Sequence, residues 1–161
     1  MLLSRIEAGR IATASVSVDL AEVAREVVAE LRLEPRTEFA ADGVPIVAAD
    51  SAHLHQILLN FLANAVAYGE PPFAIAIDEE AATVTVRVCD SGLGVPEAFI
   101  PHLFEAYSRA SEHHEECYQG SGLGLAIAKG LAEAAGGEVW YEPGDAGGAR
   151  FCLRLPKAER E

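Results

Sequence analysis

Residues 120–130 read GSGLGLAIAKG, three alternating glycines that run into an alanine- and leucine-rich helix. A glycine cluster opening a helix leaves backbone N–H groups unpaired, adds the positive end of the helix dipole, and has no Cβ to hold an anion away. That makes a phosphate cradle. The same residues also make a tight turn with close helix packing, so the surrounding chain has to separate the two readings.

The chain has 161 residues, half of them hydrophobic, which predicts one domain with its own core. No apolar run is long enough to span a bilayer, and the first ten residues, with Arg5, Glu7 and Arg10, do not form a signal peptide. The expectation is a soluble, cytoplasmic chain. Its three cysteines, Cys89, Cys117 and Cys152, are odd in number and share no metal-ligand spacing, which suits a reducing compartment. Cys89 and Cys152 read as strand or core residues. A formal net charge of −13 repels nucleic acid and anionic membranes, so neither is expected as a partner. Any phosphate ligand must then be held by local backbone donors, a metal ion or a few well-placed cations.

Working outward along the chain, residues 2–10 (LLSRIEAGR) have helical composition and stop at Gly9, which predicts the last turns of a helix begun upstream and a chain cut from a longer one. SVSVD (15–19) predicts a strand, and Asp19 caps a helix over 20–32 with Leu20, Val23, Val27, Val28 and Leu31 on its apolar face. Residues 35–50 predict a hairpin turning at Asp42-Gly43. Asp50 and Ser51 then cap a long helix whose stripe is Leu54, Ile57, Leu58, Phe61, Leu62, Ala65 and Val66.

After Gly69-Glu70-Pro71-Pro72, FAIAID and TVTVRVCD predict two strands joined around Glu79–Ala81, with Val84, Val86 and Val88 on one side. SGLGVP (91–96) reads as a loop, Glu97 to Phe104 as a short helix, and 108–119 as a polar stretch without hydrophobic period. A helix from Ser121 to Ala135 and a closing hairpin through Pro143–Gly148 complete the order. The fold class is α+β, a two-layer sandwich with a mostly antiparallel mixed sheet and helices on one face.

Gln56, Asn60 and Asn64 recur at i, i+4 and i+8, one stripe of the long helix. Asparagine is a poor helix former, and its oxygen suits a magnesium ion that already carries phosphate oxygens; a solvated polar face is the bland alternative. Asp90 ends a valine-rich strand just before glycines that let backbone approach a flat ligand, and its carboxylate can accept from an exocyclic amine such as adenine's. Alone, Asp-x-Gly-x-Gly is also an ordinary strand-to-loop turn.

Asn60-x-x-x-Asn64-Ala65, Asp90-x-Gly92-x-Gly94, Phe104-x-x-Tyr107-x-Arg109 and Gly120-x-Gly122-x-Gly124-Leu125 occur in that order. This series resembles the ATP-binding catalytic domain of bacterial two-component sensor histidine kinases, which share a Bergerat-type nucleotide fold with gyrase, the Hsp90 chaperones and the MutL mismatch-repair proteins. The resemblance covers nearly the whole chain. It implies that residues 1–12 are the end of a dimerisation and phosphoacceptor helix and that 13–161 form the catalytic domain, with a lid at about 108–119.

By the same resemblance, Asn64 is the magnesium ligand, Asn60 its neighbour at the phosphates, and Tyr68 packs near the base. Asp90 reads the adenine amino group, and Gly92, Gly94 and Val95 shape the base pocket. Phe104 and Tyr107 anchor the lid, Arg109 reaches the terminal phosphate, and Gly120, Ser121, Gly122, Leu123, Gly124 and Leu125 bind phosphates at the helix start. The cofactors implied are ATP and Mg²⁺. Implied partners are the phosphoacceptor helices of the parent chain and a response regulator, with a monomeric fragment, a homodimeric parent and no direct membrane contact. A dinucleotide fold loses because a polar stretch, not a strand, precedes the glycines. Hydrolysing relatives carry an acidic residue one turn before the magnesium asparagine. Asn60 stands there and cannot act as a general base, so Asn60 and Arg109 would serve transfer to a histidine rather than hydrolysis.

The pattern departs in places. Ala67 stands where a basic residue is usual, Glu112, Glu115 and Glu116 make the lid acidic, and Ala149 replaces a common hydroxyl residue. These changes define the alternative, a degenerate pseudokinase domain that works through partner contacts with weak or no ATP binding. His113, His114 and Cys117 invite a metal reading, but adjacent histidines rarely reach one ion. None of the five histidines is followed by an acidic residue with a nearby proline, as a phosphoacceptor would be, so the chain lacks its own substrate histidine.

Overall fold

The computed structural model describes residues 15–41, 43–106, 123–145 and 147–159. The helix expected before Gly9 lies outside them. Strand β1 (Val16–Asp19) leads into helix α1 (Leu20–Glu30), whose first turn is capped by Asp19 Oδ1 accepting from the N–H groups of Ala21 and Glu22. A 3₁₀ turn (Glu34–Arg36) precedes β2 (Thr37–Ala41), and β3 (Ile46–Ala49) runs into helix α2 (Ser51–Tyr68). Asp50 caps α2 as Asp19 caps α1, accepting from Ala52 and His53. Strands β4 (Phe73–Glu79) and β5 (Thr83–Cys89), a 3₁₀ helix (Glu97–His102), helix α3 (Gly124–Ala134), and strands β6 (Glu138–Pro143) and β7 (Ala149–Pro156) follow.

The main sheet has five strands in the order β2-β4-β5-β7-β6, antiparallel throughout except for the parallel pair β2 and β4. The α+β sandwich is therefore as expected. The hairpin expected at Asp42-Gly43 does not form. β2 joins the main sheet beside β4, while β3 pairs antiparallel with β1 in a separate two-stranded sheet. The connection ends at Pro45, which has no N–H to offer and whose carbonyl accepts from the Leu20 N–H, so the chain is drawn to α1 instead of back along β2.

Phe73, Ile75 and Ile77 of β4, Val84, Val86 and Val88 of β5, and Phe151, Leu153 and Leu155 of β7 all turn to the helices, the period-two pattern of a strand with one core face. Leu20, Val23, Val27 and Val28 of α1 and Leu54, Ile57, Leu58, Phe61, Leu62 and Ala65 of α2 meet them in one cluster. Val66, expected in that stripe, is 50% exposed: the buried arc narrows in the last turn, where only Ala65 stays inside. The segment expected as a helix from Glu97 to Phe104 is a 3₁₀ helix ending at His102, because Pro101 lacks the N–H that an α-helix needs there. Among the described residues, no helix is long and apolar enough to cross a membrane.

The other face of the sheet is charged. Arg87 pairs with Asp78 at 2.7 Å, Arg150 with Asp145 at 2.7 Å, and Arg154 with Glu138 while its guanidinium lies 5.0 Å from the Trp140 ring centre. Cys152 is fully buried beneath this layer and Cys89 half-buried, both as strand residues. Burial, with a smaller contribution from the Glu142 carboxylate, pushes the Cys152 thiol from 9.0 up to about 12.

A raised thiol value means that the folded chain keeps a proton the unfolded chain gives up. The stabilisation is fully present below pH 9.0 and is lost as pH rises towards about 12. Urea unfolding between about pH 8 and about pH 11 is expected to show a steeper loss of stability in the wild-type chain than in Cys152→Ala.

Candidate functional site

The site is built along α2. Gln56, Asn60 and Asn64 share one stripe beside the core stripe, as their spacing predicts. Gln56 Nε2 donates to Asn60 Oδ1 at 2.9 Å, and Asn60 Nδ2 donates to the Gly124 carbonyl at 2.9 Å. An amide has one acceptor and two donors, so Asn60 can bridge its own helix to the first residue of α3. A Cβ placed on Gly124 would stand 3.8 Å from the Asn60 side chain, an ordinary contact, so the bond does not by itself require glycine there. Asn64 lies one turn further on and is half-buried; Tyr68, another turn on, is 42% exposed.

The far end of α2 meets Asp90. This residue follows β5, is 9% exposed, and accepts through Oδ1 from the N–H groups of Gly92 at 2.8 Å and Ala149 at 3.4 Å. Its own N–H donates to the Ala149 carbonyl at 3.0 Å. Two glycines that sequence reasoning gave no role in the site wall it in. A Cβ on Gly69 would overlap the carboxylate, reaching Oδ2 at 2.6 Å, and one on Gly148 (φ +81) would overlap the Asp90 carbonyl. Ser91 fastens the next loop to the segment after α2: its N–H donates to the Glu70 carbonyl at 2.8 Å and its hydroxyl to the Pro72 carbonyl at 2.7 Å.

α2 is thus a spine with Asp90 at its C-terminal end and the start of α3 against Asn60 at its middle. From Asn60 to Gly69 the helix rises about 14 Å. Gly92, Gly94 and Val95 lie on the loop beside Asp90, and Leu123, Gly124 and Leu125 lie at the opening of α3, where Leu123 offers no side-chain cap. Phe104 and Leu125 pack partly buried against the core. Tyr107, Arg109, Gly120, Ser121 and Gly122, with the stretch 108–119 and its His113, His114 and Cys117, fall outside the described residues. Of the other histidines, His55 meets Glu30 at 2.7 Å and His102 meets Glu105 at 3.1 Å. Among the described residues, no group of three or more His, Cys, Asp or Glu side chains could hold a metal ion.

Sequence reasoning did not find the Gln56 to Asn60 link, Gly69, Gly148 or the Tyr141 hydroxyl that accepts from the Val95 N–H at 3.2 Å. The available signals were slight: a glycine directly after the helix, and a Gly-Gly pair ahead of the closing strand.

Residues 49–159 match the family of "Histidine kinase-, DNA gyrase B-, and HSP90-like ATPase". Similar curated proteins include the sensory/regulatory protein RpfC of Xanthomonas campestris pv. campestris, 36% identical over 97% of this chain and 23% of its own length. The signal transduction histidine-protein kinase AfsQ2 of Streptomyces coelicolor is 33% identical over 98% of this chain and 29% of its own. Full-length ShkA, solved in complex with AMPPNP, superposes with a TM-score of 0.80 at 31% identity, covering 99% of this chain and 34% of that one. The ATP binding domain of PrrB from Mycobacterium tuberculosis superposes at 0.73 with 27% identity, over 90% of this chain and 98% of that one. The chain belongs to the histidine kinase-, DNA gyrase B- and HSP90-like ATPase family. It spans about a quarter of the length of the two curated relatives.

Gly69→Ala tests how tightly Asp90 is packed. Overpacking against the carboxylate is expected to lower the unfolding free energy by about 2 kcal/mol, measured by urea denaturation.

Proposed function

We propose that this chain is the ATP-binding catalytic domain of a sensor histidine kinase and supplies the γ-phosphoryl group for autophosphorylation of a histidine. The observation that carries the reading is the pairing along α2: a buried, glycine-walled Asp90 at its C-terminal end and, against Asn60 at its middle, an α3 N-terminus without a side-chain cap. That distance suits a nucleotide whose base and phosphates need opposite chemistry. In this reading the Asp90 carboxylate accepts from the adenine amino group, Gly92, Gly94 and Val95 shape the base pocket, and Tyr68 packs near the base. Gly120, Ser121, Gly122, Leu123, Gly124 and Leu125 receive the phosphates on backbone donors and the helix dipole, with Arg109 at the terminal phosphate and Phe104 and Tyr107 at the base of the lid.

Asn64 is the residue that would hold Mg²⁺. Its amide oxygen is a hard, neutral donor, and the side chain is half-buried on the stripe it shares with Asn60. When bound, the ion would neutralise phosphate charge, which matters in a chain of net charge −13. Asn60 is held by Gln56 and Gly124 and carries no basic group able to take a proton from water at neutral pH, so the site favours holding ATP over hydrolysing it. The protein's part in transfer is then positioning and electrostatics. The acceptor histidine comes from helices of the longer parent chain, a cytoplasmic homodimer in this part, whose phosphoryl group passes to a response regulator. By itself the fragment is monomeric. Residues 1–12 are the end of that helical region and 13–161 the domain.

A second reading, a partner-binding module with weak or no ATP affinity, is favoured by exposed Ala67 beside the site and by the acidic lid sequence. Calorimetric titration with ATP and Mg²⁺ separates the two. Binding that requires magnesium, and that Asp90→Asn weakens about ten- to hundredfold, is the kinase result. A folded chain giving no heat at millimolar ATP would instead leave the binding-module reading.

A further inference from the structure

Tyr141 lies on β6, the edge strand furthest from β5 on the β7 side, yet its hydroxyl accepts from the N–H of Val95, 46 residues away in sequence, at 3.2 Å. Its ring is held from behind. It stands opposite Phe151 in the β6–β7 register, with ring centres 5.9 Å apart, and Phe151 in turn lies 5.7 Å from Phe61 of α2. Phe61 and Phe151 are fully buried, so the ring series is fixed in the core at one end and reaches the glycine loop at the other. Phe61 is also the neighbour of Asn60 on α2. The loop itself is pressed flat at this point. Gly94 has φ +79, and a Cβ there would come within 3.0 Å of the Gly148 carbonyl and 3.4 Å of the Tyr141 hydroxyl. Gly148 also walls Asp90.

We infer that Tyr141 is a positioning residue for the base end of the nucleotide site, an inference that rests on the ATP reading above. The hydroxyl is the one group in the ring series able to bond a backbone N–H, and it clamps the Gly92–Val95 loop at the height set by the Gly148 backbone. A loop held before the ligand arrives does not have to be ordered at the ligand's cost. Because the clamp acts where the base sits, it serves every adenine nucleotide alike and is indifferent to the number of phosphates.

The test uses the 161-residue chain and Tyr141→Phe, each titrated with ATP and with ADP by calorimetry, and each followed without nucleotide by amide hydrogen exchange. Phenylalanine keeps the ring contacts, and urea unfolding checks that the variant is folded. The expected result is faster exchange confined to the 92–95 loop, with ATP and ADP weakened by one common factor, about three- to tenfold. Unchanged exchange at Val95, unchanged affinity, or a loss confined to ATP would overturn the positioning role. A wild-type chain that takes up neither nucleotide overturns the ATP reading and this role with it, while the exchange comparison still reports separately whether the hydroxyl holds the loop.

Discussion

A carboxylate that is 9% exposed has to be given donors, and the backbone around Asp90 is laid out to give them. Gly92 and Ala149 present their N–H groups to Oδ1, the Asp90 N–H donates to the Ala149 carbonyl, and the end of α2 passes so close that only glycine fits at position 69. Three chain segments distant in sequence are thereby brought to one point: the exit of α2, the loop after β5, and the turn into β7. Their paths meet at a single side chain.

The rest of the site follows from α2 having two stripes. One is core and sets the helix's rotation against the sheet; the other carries Gln56, Asn60 and Asn64 and is turned by that same rotation towards α3. Strand residues with positive charge are engaged elsewhere. Arg87, Arg150 and Arg154 are paired with carboxylates on the opposite sheet face, so the described residues of the site are neutral apart from Asp90 and the exposed Glu70 beside it. Under the proposed ATP reading, phosphate recognition in such surroundings would depend on backbone donors and on a bound cation more than on side-chain charge.

Local features were legible in the sequence. Asp19 and Asp50 announced both capped helices, alternating valines gave the inward side of β5, and motif order pointed to the ATP-binding fold. What escaped were relations between distant segments. An Asp-Gly turn signal says where the chain bends but not which strand it joins next, and here β2 takes the remote β4 as partner. Periodicity reported that residue 141 belongs to a strand; it could not report that its hydroxyl meets a backbone N–H of the loop after β5. Val66 fits an apolar stripe by spacing alone, yet burial at a helix end depends on what the neighbouring elements cover. Of the residues that sequence reasoning placed on α2 and after β5, Asn60 meets the start of α3 and Asp90 meets the exit of α2, while those at 107–122 lie outside the described residues.

The parallel pairing of β2 with β4 has a kinetic side. β4 with β5 and β6 with β7 are neighbours joined by short turns and can zip from their loops. β2 and β4 are joined instead by a long crossover that includes β3 and all of α2. Closing that edge carries the entropy of a long loop, which local hairpins do not. The helix that presents the asparagines is therefore also part of the crossover that completing this sheet edge has to close.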